Sequence, residues 1–165
     1  MIRVSPFRRD FDRSGFACAI GELDDYLKRQ VSQDVKRNAA ACFILHEAGS
    51  TEIRGYYTLS AHSLALETLP EALQKMLPRY SQVPATLLGR LAIARQWQGK
   101  GLGELLLLDA LRRAWENREV IGSWAVVVDT INEEAERFYR HFNFRTGGMA
   151  AGRLFLSMGE IGKLL

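Results

Sequence analysis

The stretch QWQGKGLG at residues 96–103 lies between an apolar run, LLGRLAIA at residues 87–94, and a leucine-rich segment. This order predicts a strand, a glycine-rich turn and the start of a helix. The first backbone N–H groups of a helix have no intrahelical partner and lie at the positive end of the helix dipole. Because Gly99, Gly101 and Gly103 let the backbone approach a ligand closely, the turn predicts a pyrophosphate-binding loop.

Two common phosphate loops do not fit this stretch. The P-loop requires a lysine and then a serine or threonine after its last glycine, whereas Gly103 is followed by a glutamate and a leucine. The dinucleotide-binding fingerprint requires its glycines at a different spacing from that of Gly99, Gly101 and Gly103. A glycine-rich connection that binds nothing remains an alternative for this stretch taken alone. The remaining pattern, over residues 96–101, is Gln-x-x-Gly-x-Gly, where x is any residue.

A second motif begins about thirty residues further along the chain. The β-branched run at residues 126–129 predicts a buried strand, and Asn132 after it is a good N-cap for a helix. Four apolar residues then follow at positions i, i+3, i+4 and i+7, which define one helix face. They are Ala135, Phe138, Tyr139 and Phe142.

These two motifs resemble the recurrent signatures of the GNAT acetyltransferases. The glycine-rich loop is similar to their acetyl-CoA pyrophosphate loop, and residues 126–144 are similar to their strand–helix signature. The resemblance implies an α/β fold, with one GNAT domain over residues 1–165 and a mixed, largely antiparallel sheet flanked by helices. It also implies acetyl-CoA as the co-substrate. The residues that it assigns to the cofactor are Leu91, Ala92, Ile93, Gln98, Gly99, Lys100, Gly101, Leu102, Gly103, Asn132 and Phe138.

The composition is that of an ordinary globular chain. Of its 165 residues, 47% are hydrophobic and 25% are charged, and the net charge is +3; this length suits a single domain that buries roughly two-thirds of its surface. No apolar run reaches the roughly 20 residues of a membrane helix, and the charged N-terminus is no signal peptide, so we expect a cytoplasmic protein. Cys18 and Cys42 lack metal-ligand spacing, which predicts two buried thiols and no metal site.

Periodicity and turn residues predict the remaining elements. Further strands are expected at residues 2–4, 42–45, 55–60 and 153–158, with a hairpin turn at Gly49 and Ser50. Helices are expected at residues 21–38, 70–77 and 101–118, and residues 161–165 are expected to form a short tail.

Acetyl transfer from a thioester to an amine requires a neutral amine, a stabilised thioester oxygen and a proton for the departing thiolate. No convincing set of residues for a covalent route surrounds Cys18 or Cys42 in the sequence, so we expect direct transfer without a covalent intermediate. Tyr139 is the candidate general acid, because the resemblance places a tyrosine at this helix position. The alternative is that Tyr139 only fills the core. Glu52, Glu67 and Asp129 remain open as general bases.

Almost the whole chain also resembles the GNAT-type toxins of bacterial toxin–antitoxin systems. The most specific segments are YYTLS at residues 56–60 and LGRLA at residues 88–92. The resemblance implies acetylation of the α-amine of aminoacyl-tRNA, which blocks translation, and it implies a homodimer that a ribbon-helix-helix antitoxin neutralises. Two residues depart from the pattern, because Ala19 and Asn143 stand where glycine is usual.

Four cations are candidates for binding tRNA phosphates. They are Arg79, Arg90, Lys28 and Lys36. Arg90 has an alternative role as an ion-pair partner within the sheet. The lack of a distinctive general base favours an α-amine, whose pKa of about 7.7–8.0 leaves it substantially neutral, over a lysine amine with a pKa near 10.4.

Two other functions remain open at this point. The first is a GNAT enzyme that acetylates small amines or protein amines, which predicts activity on free amines without any benefit from tRNA. The second is a non-catalytic module that binds acetyl-CoA and acts through a protein partner, which predicts tight cofactor binding without turnover.

Overall fold

The computed structural model describes residues 1–147 and 150–165, and this part of the chain contains seven strands and six α-helices. The strands are β1 (Ile2–Pro6), β2 (Ala41–Glu47), β3 (Gly55–Ala65), β4 (Gln82–Ile93), β5 (Ala125–Asp129), β6 (Arg145–Thr146) and β7 (Arg153–Ser157). The helices are α1 (Gly21–Asp25), α2 (Val31–Lys36), α3 (Glu71–Gln74), α4 (Leu102–Glu116), α5 (Glu133–His141) and α6 (Met158–Leu164). A π turn (Tyr26–Gln30) joins α1 to α2, and 3-10 turns span Leu66–Thr68 and Arg95–Trp97.

The strands form one sheet in the order β1-β2-β3-β4-β5-β7-β6. Strand β4 runs parallel to β5, with Ala85 opposite Ala125. The pairs β1–β2, β2–β3, β5–β7 and β6–β7 are antiparallel. The predicted fold class, a mixed and largely antiparallel sheet with helices, is therefore confirmed. The longest helix, α4, has 15 residues, and none of the helices in the described ranges has the length and hydropathy needed to cross a membrane.

The first of two compact units contains residues 1–60 and 88–110. Its core forms where the α1–α2 segment packs on β2 and β3, and the side chains of Leu27, Val31, Ile44 and Tyr56 are fully buried there. Cys18 and Cys42 belong to the same core as free, buried thiols, which confirms the expectation for both.

The second compact unit contains residues 61–87 and 111–165. Buried side chains of β3, β4, β5 and β7 form its core, and Trp124 packs on Phe155 with ring centroids 5.5 Å apart. β-Branched residues fill β5, as expected of a strand buried on both faces.

The predicted helix over residues 21–38 is wrong in its middle, where the π turn interrupts it. The Val31 N–H donates to the Tyr26 carbonyl, five residues back. A π turn places residues five apart on one face, and both Tyr26 and Val31 are buried in the first core. The segment ends at Lys36, and Asn38 takes the left-handed backbone conformation, with φ at +59°.

Other element boundaries also differ from the sequence prediction. Strand β4 begins at Gln82, because the residues before the apolar run pair with β5. The expected tail at residues 161–165 is instead helix α6: the Ser157 hydroxyl accepts the Glu160 N–H at 3.2 Å, and Ile161 is buried. Strand β6 was not predicted, because its two residues are too few to form a periodic pattern.

Candidate functional site

The glycine-rich loop connects the end of β4 to the start of α4, as predicted. Gly99 and Gly101 have φ values of +76° and +78°, in the left-handed region that favours glycine. A Cβ atom added to either residue would meet nothing within 4 Å. Backbone conformation, rather than crowding within the protein, therefore requires glycine at both positions. The space beside them is open to a ligand.

The start of α4 presents free hydrogen-bond donors beside this loop, where a ligand can accept them. The Gly101 carbonyl accepts the first helical hydrogen bond, from the Leu105 N–H at 3.2 Å. The N–H groups of residues 102–104 point out of the first turn without intrahelical acceptors. Leu102 is buried and anchors the turn, and Gly103 lies inside the helix. Lys100 is exposed and makes no ion pair within residues 1–147 and 150–165, so its charge is available to an anion.

The Gln98 side chain holds the loop in place within the first unit. Its amide Nε2 donates to the Ile93 carbonyl at 2.9 Å and to the Cys18 carbonyl at 3.0 Å. Because these bonds occupy both protons of the amide, we expect Gln98 to reach a cofactor through its backbone N–H. Trp97 fixes the preceding turn, since its indole N–H donates to the Glu52 carboxylate at 2.9 Å.

The end of β4 is packed too closely to allow a side chain opposite it. A Cβ atom on Gly55 would lie 2.7 Å from Ile93 Cδ1 and 2.8 Å from the Ala92 carbonyl oxygen. Ala92 is buried, whereas Leu91 and Ile93 are half-buried. Gly55 therefore sets the position of the strand end to which the resemblance assigns the cofactor. Sequence reasoning placed Gly55 in a strand without this role, because the close approach joins residues nearly forty positions apart.

Asn132 caps helix α5, as predicted. Its side-chain oxygen accepts the Ala135 N–H at 2.8 Å, while its own backbone is extended. This bond satisfies one of the free donors of the first helical turn. The side-chain amide nitrogen remains available for the cofactor role that the resemblance assigns to Asn132.

Tyr139 is the buried aromatic residue of α5. Its ring meets Phe138 and Phe144 edge to face, with centroid distances of 5.2 and 5.3 Å, and its side chain is 8% exposed. Burial raises the pKa of the Tyr139 hydroxyl above its ordinary value. The hydroxyl therefore carries its proton at neutral pH, as a general acid must. Asn143 ends this segment at φ +70°, a conformation that asparagine tolerates better than most residues.

The three carboxylates that the sequence left open as general bases occupy different settings. Asp129 accepts two hydrogen bonds of 2.7 Å from the Arg153 guanidinium, which lower the pKa of its carboxyl and make it a weak base. Glu52 accepts the Trp97 indole N–H. Glu67 lines a cavity in the second unit.

His62 in β3 is a titratable residue that sequence reasoning missed. Its Nε2 atom is buried and has no hydrogen-bond partner among the described residues. Burial, and to a smaller extent the charge of Arg153, lower the pKa of its imidazole, so the ring is neutral at pH 7. No sequence motif surrounds this residue, and only the fold brings Arg153 near it.

The two thiols are unsuited to nucleophilic catalysis. Burial raises the pKa of Cys18 to about 11 and that of Cys42 to about 12. Since the thiolate is the nucleophile of a cysteine, almost no reactive form exists at neutral pH. The expectation of direct transfer is consistent with these values.

Arg90 packs on an aromatic ring of the π turn, a different internal role from the ion pair within the sheet that the sequence left as its alternative. Its guanidinium lies 3.5 Å from the centroid of the Tyr26 ring. The Tyr26 hydroxyl donates to Asp34 at 2.9 Å, and the Gln30 amide donates to the same carboxylate at 2.9 Å. Hydrogen bonds from Gln30 and Tyr26, with the charge of Arg90, lower the pKa of Asp34. This Arg90–Tyr26–Asp34 cluster ties β4 to both ends of the π turn.

The other three candidates for RNA binding are exposed. Lys28 lies in the π turn and Lys36 ends α2, both in the first unit. Arg79 lies in the second unit, in the segment between α3 and β4. Their charges remain accessible to phosphates.

Comparison with known proteins gives a consistent family. The family model described as "Acetyltransferase (GNAT) domain" matches residues 38–146. A curated relative from Mycobacterium tuberculosis, described as "tRNA-acetylating toxin", is 32% identical over 154 residues. The aligned part is 93% of this chain and 90% of the relative.

Solved structures extend the similarity to the whole fold. AtaT complexed with acetyl-methionyl-tRNAfMet matches with a TM-score of 0.92 and 27% identity, over 99% of each chain. AtaTR bound with AcCoA matches with a TM-score of 0.87 and 26% identity, over 99% of this chain and 97% of the other. A tyrosine-to-phenylalanine mutant of the AtaT toxin, bound to the C-terminus of the antitoxin AtaR, matches with a TM-score of 0.84 and 25% identity, over 99% and 98%.

Proposed function

The chain belongs to the GNAT acetyltransferase family, and from that premise we propose that residues 1–165 form one GNAT domain that acts as a tRNA-acetylating toxin. The enzyme transfers the acetyl group of acetyl-CoA to the α-amine of an aminoacyl-tRNA. The observation that supports this substrate best is the 32% identity to a tRNA-acetylating toxin over 93% of the chain. Acetylation of the amine removes the nucleophile needed for peptide elongation, which is how the product blocks translation.

The glycine-rich loop fits the pyrophosphate of acetyl-CoA. The left-handed Gly99 and Gly101 leave open space beside a row of backbone donors at the start of α4. The exposed Lys100 adds a positive charge. Leu91–Ile93 at the end of β4, together with Asn132 and Phe138, complete the cofactor set by resemblance, and backbone N–H groups at that strand end would stabilise the thioester oxygen.

The chemistry needs one proton to leave the amine and one to reach the sulfur. The neutral amine nitrogen attacks the thioester carbonyl carbon, a C–N bond forms, and the C–S bond breaks. Tyr139 donates its proton to the departing thiolate and regains one from solvent, while the amide nitrogen loses its extra proton to water. The raised pKa of Tyr139 means that the hydroxyl carries its proton at neutral pH until the thiolate departs, and takes a proton back readily afterwards.

The choice of substrate amine is supported by the weakness of Asp129 as a base. Asp129 is held by Arg153, which lowers the pKa of its carboxyl. An α-amine with a pKa of about 7.7–8.0 is substantially neutral without a strong base, whereas a lysine amine near 10.4 is not. Lys28, Lys36 and Arg79 bind tRNA phosphates in this proposal. Arg90 acts indirectly by holding the π turn that carries Lys28.

The protein partners that we propose are inferred from the related toxins. AtaT is bound to the C-terminus of the antitoxin AtaR in one solved structure. We extend this to an antitoxin of ribbon-helix-helix type for the present chain, which we propose to be a cytoplasmic homodimer. Both points rest on the resemblance to GNAT-type toxins.

The proposed function is tested by following labelled acetyl groups. Labelled acetyl-CoA is supplied with a pool of charged tRNAs, with uncharged tRNA, and with free amino acids and lysine peptides. The proposal expects label on charged tRNA alone, at the α-amine. Label on free amines or lysine peptides without any benefit from tRNA would make the protein an acetyltransferase of another substrate class, and bound acetyl-CoA without label anywhere would make it a binding module.

A further inference from the structure

The second unit contains a cavity of about 820 Å³ between the end of β3, helix α3 and the segment before β4. Its volume lies in the range of small-molecule and nucleotide sites, roughly 300–1,000 Å³. Gln74 fixes one wall, because its side-chain amide donates to the Leu69 carbonyl at 2.7 Å. All the lining residues lie between Ala65 and Gln82. The cavity is therefore a continuous feature of one short stretch of chain.

An exposed aromatic ring lies on the wall of this cavity. Tyr80 is among the lining residues, yet 72% of it is exposed to solvent. Within residues 1–147 and 150–165, its side chain makes no hydrogen bond and no ring contact. A ring held at a concave surface without a protein partner offers a flat face on which a nucleobase can stack.

The charges of the cavity fit a nucleotide better than a simple anion. Lys75 and Arg79 line it four residues apart, and neither forms an ion pair in the described ranges of the chain. Glu67 and Glu71 line it as well. The cations suit a phosphodiester, whereas the carboxylates accept hydrogen bonds from ribose hydroxyls or base amino groups and repel a bare polyanion.

We propose that this cavity binds one unpaired nucleotide of the tRNA, with the base on Tyr80 and the phosphate against Arg79 and Lys75. The proposal rests on the proposed function, because the nucleotide that enters the cavity belongs to the aminoacyl-tRNA substrate. A paired base shows only its edge in a groove, whereas an unpaired base exposes its face for stacking. Tyr80 is thus a binding residue for RNA and takes no part in acetyl transfer.

The test measures the binding of a labelled, unstructured eight-nucleotide RNA to the full chain. Tyr80→Ala should weaken binding about tenfold, because the stacking surface is lost, whereas Tyr80→Phe should stay within about twofold. Met76→Ala is the matched control, since Met76 is 80% exposed nearby and does not line the cavity. Arg79→Gln should lower the slope of log affinity against log salt by about 0.7, the value for one phosphate contact with a single strand.

Two further arms separate this proposal from the proposed function. If Tyr80→Ala binds the RNA and acetylates charged tRNA like the wild type, the cavity is no RNA site, although the acetylation function stands. If the wild type fails to acetylate charged tRNA while Tyr80→Ala still loses RNA binding, the cavity stands and the substrate assignment falls. Competition by AMP as strong as that by the RNA would show a site for free nucleotides, which would also overturn the proposal.

Discussion

The glycine-rich loop and helix α5 use opposite means to build a functional site. In the loop the side chains at Gly99 and Gly101 are absent, and the backbone presents the donors. In α5 the backbone groups are occupied by the helix's own hydrogen bonds, and the reactive group that we propose is a single buried hydroxyl, that of Tyr139. A site built from backbone groups is disrupted by a change in backbone conformation. A site built from one side chain is disrupted by removal of its reactive atom. Substitutions in the two regions should therefore alter different kinetic quantities.

The largest expected effect belongs to Tyr139→Phe. The ring and its edge-to-face contacts remain, and the proton is lost, so we expect kcat to fall about 10²–10⁴-fold. The measurement is steady-state acetylation of charged tRNA. The acetyl-CoA affinity and the melting temperature serve as controls and should match those of the wild type. Full turnover in this variant would assign Tyr139 to the core alone.

Gly101→Ala should instead weaken acetyl-CoA binding about tenfold. Alanine at φ +78° costs about 1–2 kcal/mol, and the backbone relieves this strain by turning its donors away from the pyrophosphate. The measurement is calorimetric titration with acetyl-CoA. Gly122→Ala is the matched control, because a Cβ there meets nothing within 4 Å and the residue does not need a positive φ. Equal losses in both variants would remove the loop from the cofactor site.

Asn132→Ala sharpens the comparison, because Asn132 has both a structural and a proposed binding role. Loss of the N-cap bond to Ala135 should cost about 1 kcal/mol, which lowers the melting temperature of a chain of this size by about 2–4 °C. Asn132→Asp retains the cap and should restore the melting temperature. A loss of acetyl-CoA affinity in both variants would show that the side-chain amide also contacts the cofactor.

The smallest expected effect is a gain in stability from Ala19→Gly. Ala19 has φ +78°, where an alanine is strained and a glycine is not. After the greater chain entropy of glycine is subtracted, the free energy of unfolding should rise by about 0.5–1 kcal/mol. Asn143→Gly is the control: asparagine tolerates this conformation, so its gain should be smaller. Thermal unfolding of both variants tests this, and a destabilised Ala19→Gly would contradict it.

The sequence predicted the features that depend on local chemistry. The glycines of the loop, the Asn132 cap and the apolar face of α5 were all readable because each acts within about ten residues. The class of the sheet was implied by the resemblance to the GNAT acetyltransferases, while periodicity and turn residues, which are local signals, predicted most of its strands. Asn143 stands where glycine is usual, and its left-handed backbone, at φ +70°, shows why that position favours a residue that tolerates this conformation.

Features that depend on distant residues were not predictable in the same way. The π turn is tied to Arg90, which contacts Tyr26 from strand β4, more than sixty residues along the chain. Arg153, twenty-four residues away in the sequence, donates hydrogen bonds to Asp129 and lowers the pKa of its carboxyl. Gly55 is required by Ala92 and Ile93 of a different strand. In each case at least one of the two residues belongs to no recognisable sequence motif. Only the folded chain brings the two residues into contact.

The most direct test of separate roles for the loop and helix α5 is a paired measurement on Tyr139→Phe and Gly101→Ala. For each variant, the single-turnover rate at saturating acetyl-CoA and charged tRNA is measured beside the dissociation constant of acetyl-CoA. We predict that Tyr139→Phe loses rate and keeps its affinity, whereas Gly101→Ala loses affinity and keeps its rate. If rate and affinity fall together in both variants, the division of binding and proton donation between the loop and Tyr139 is contradicted.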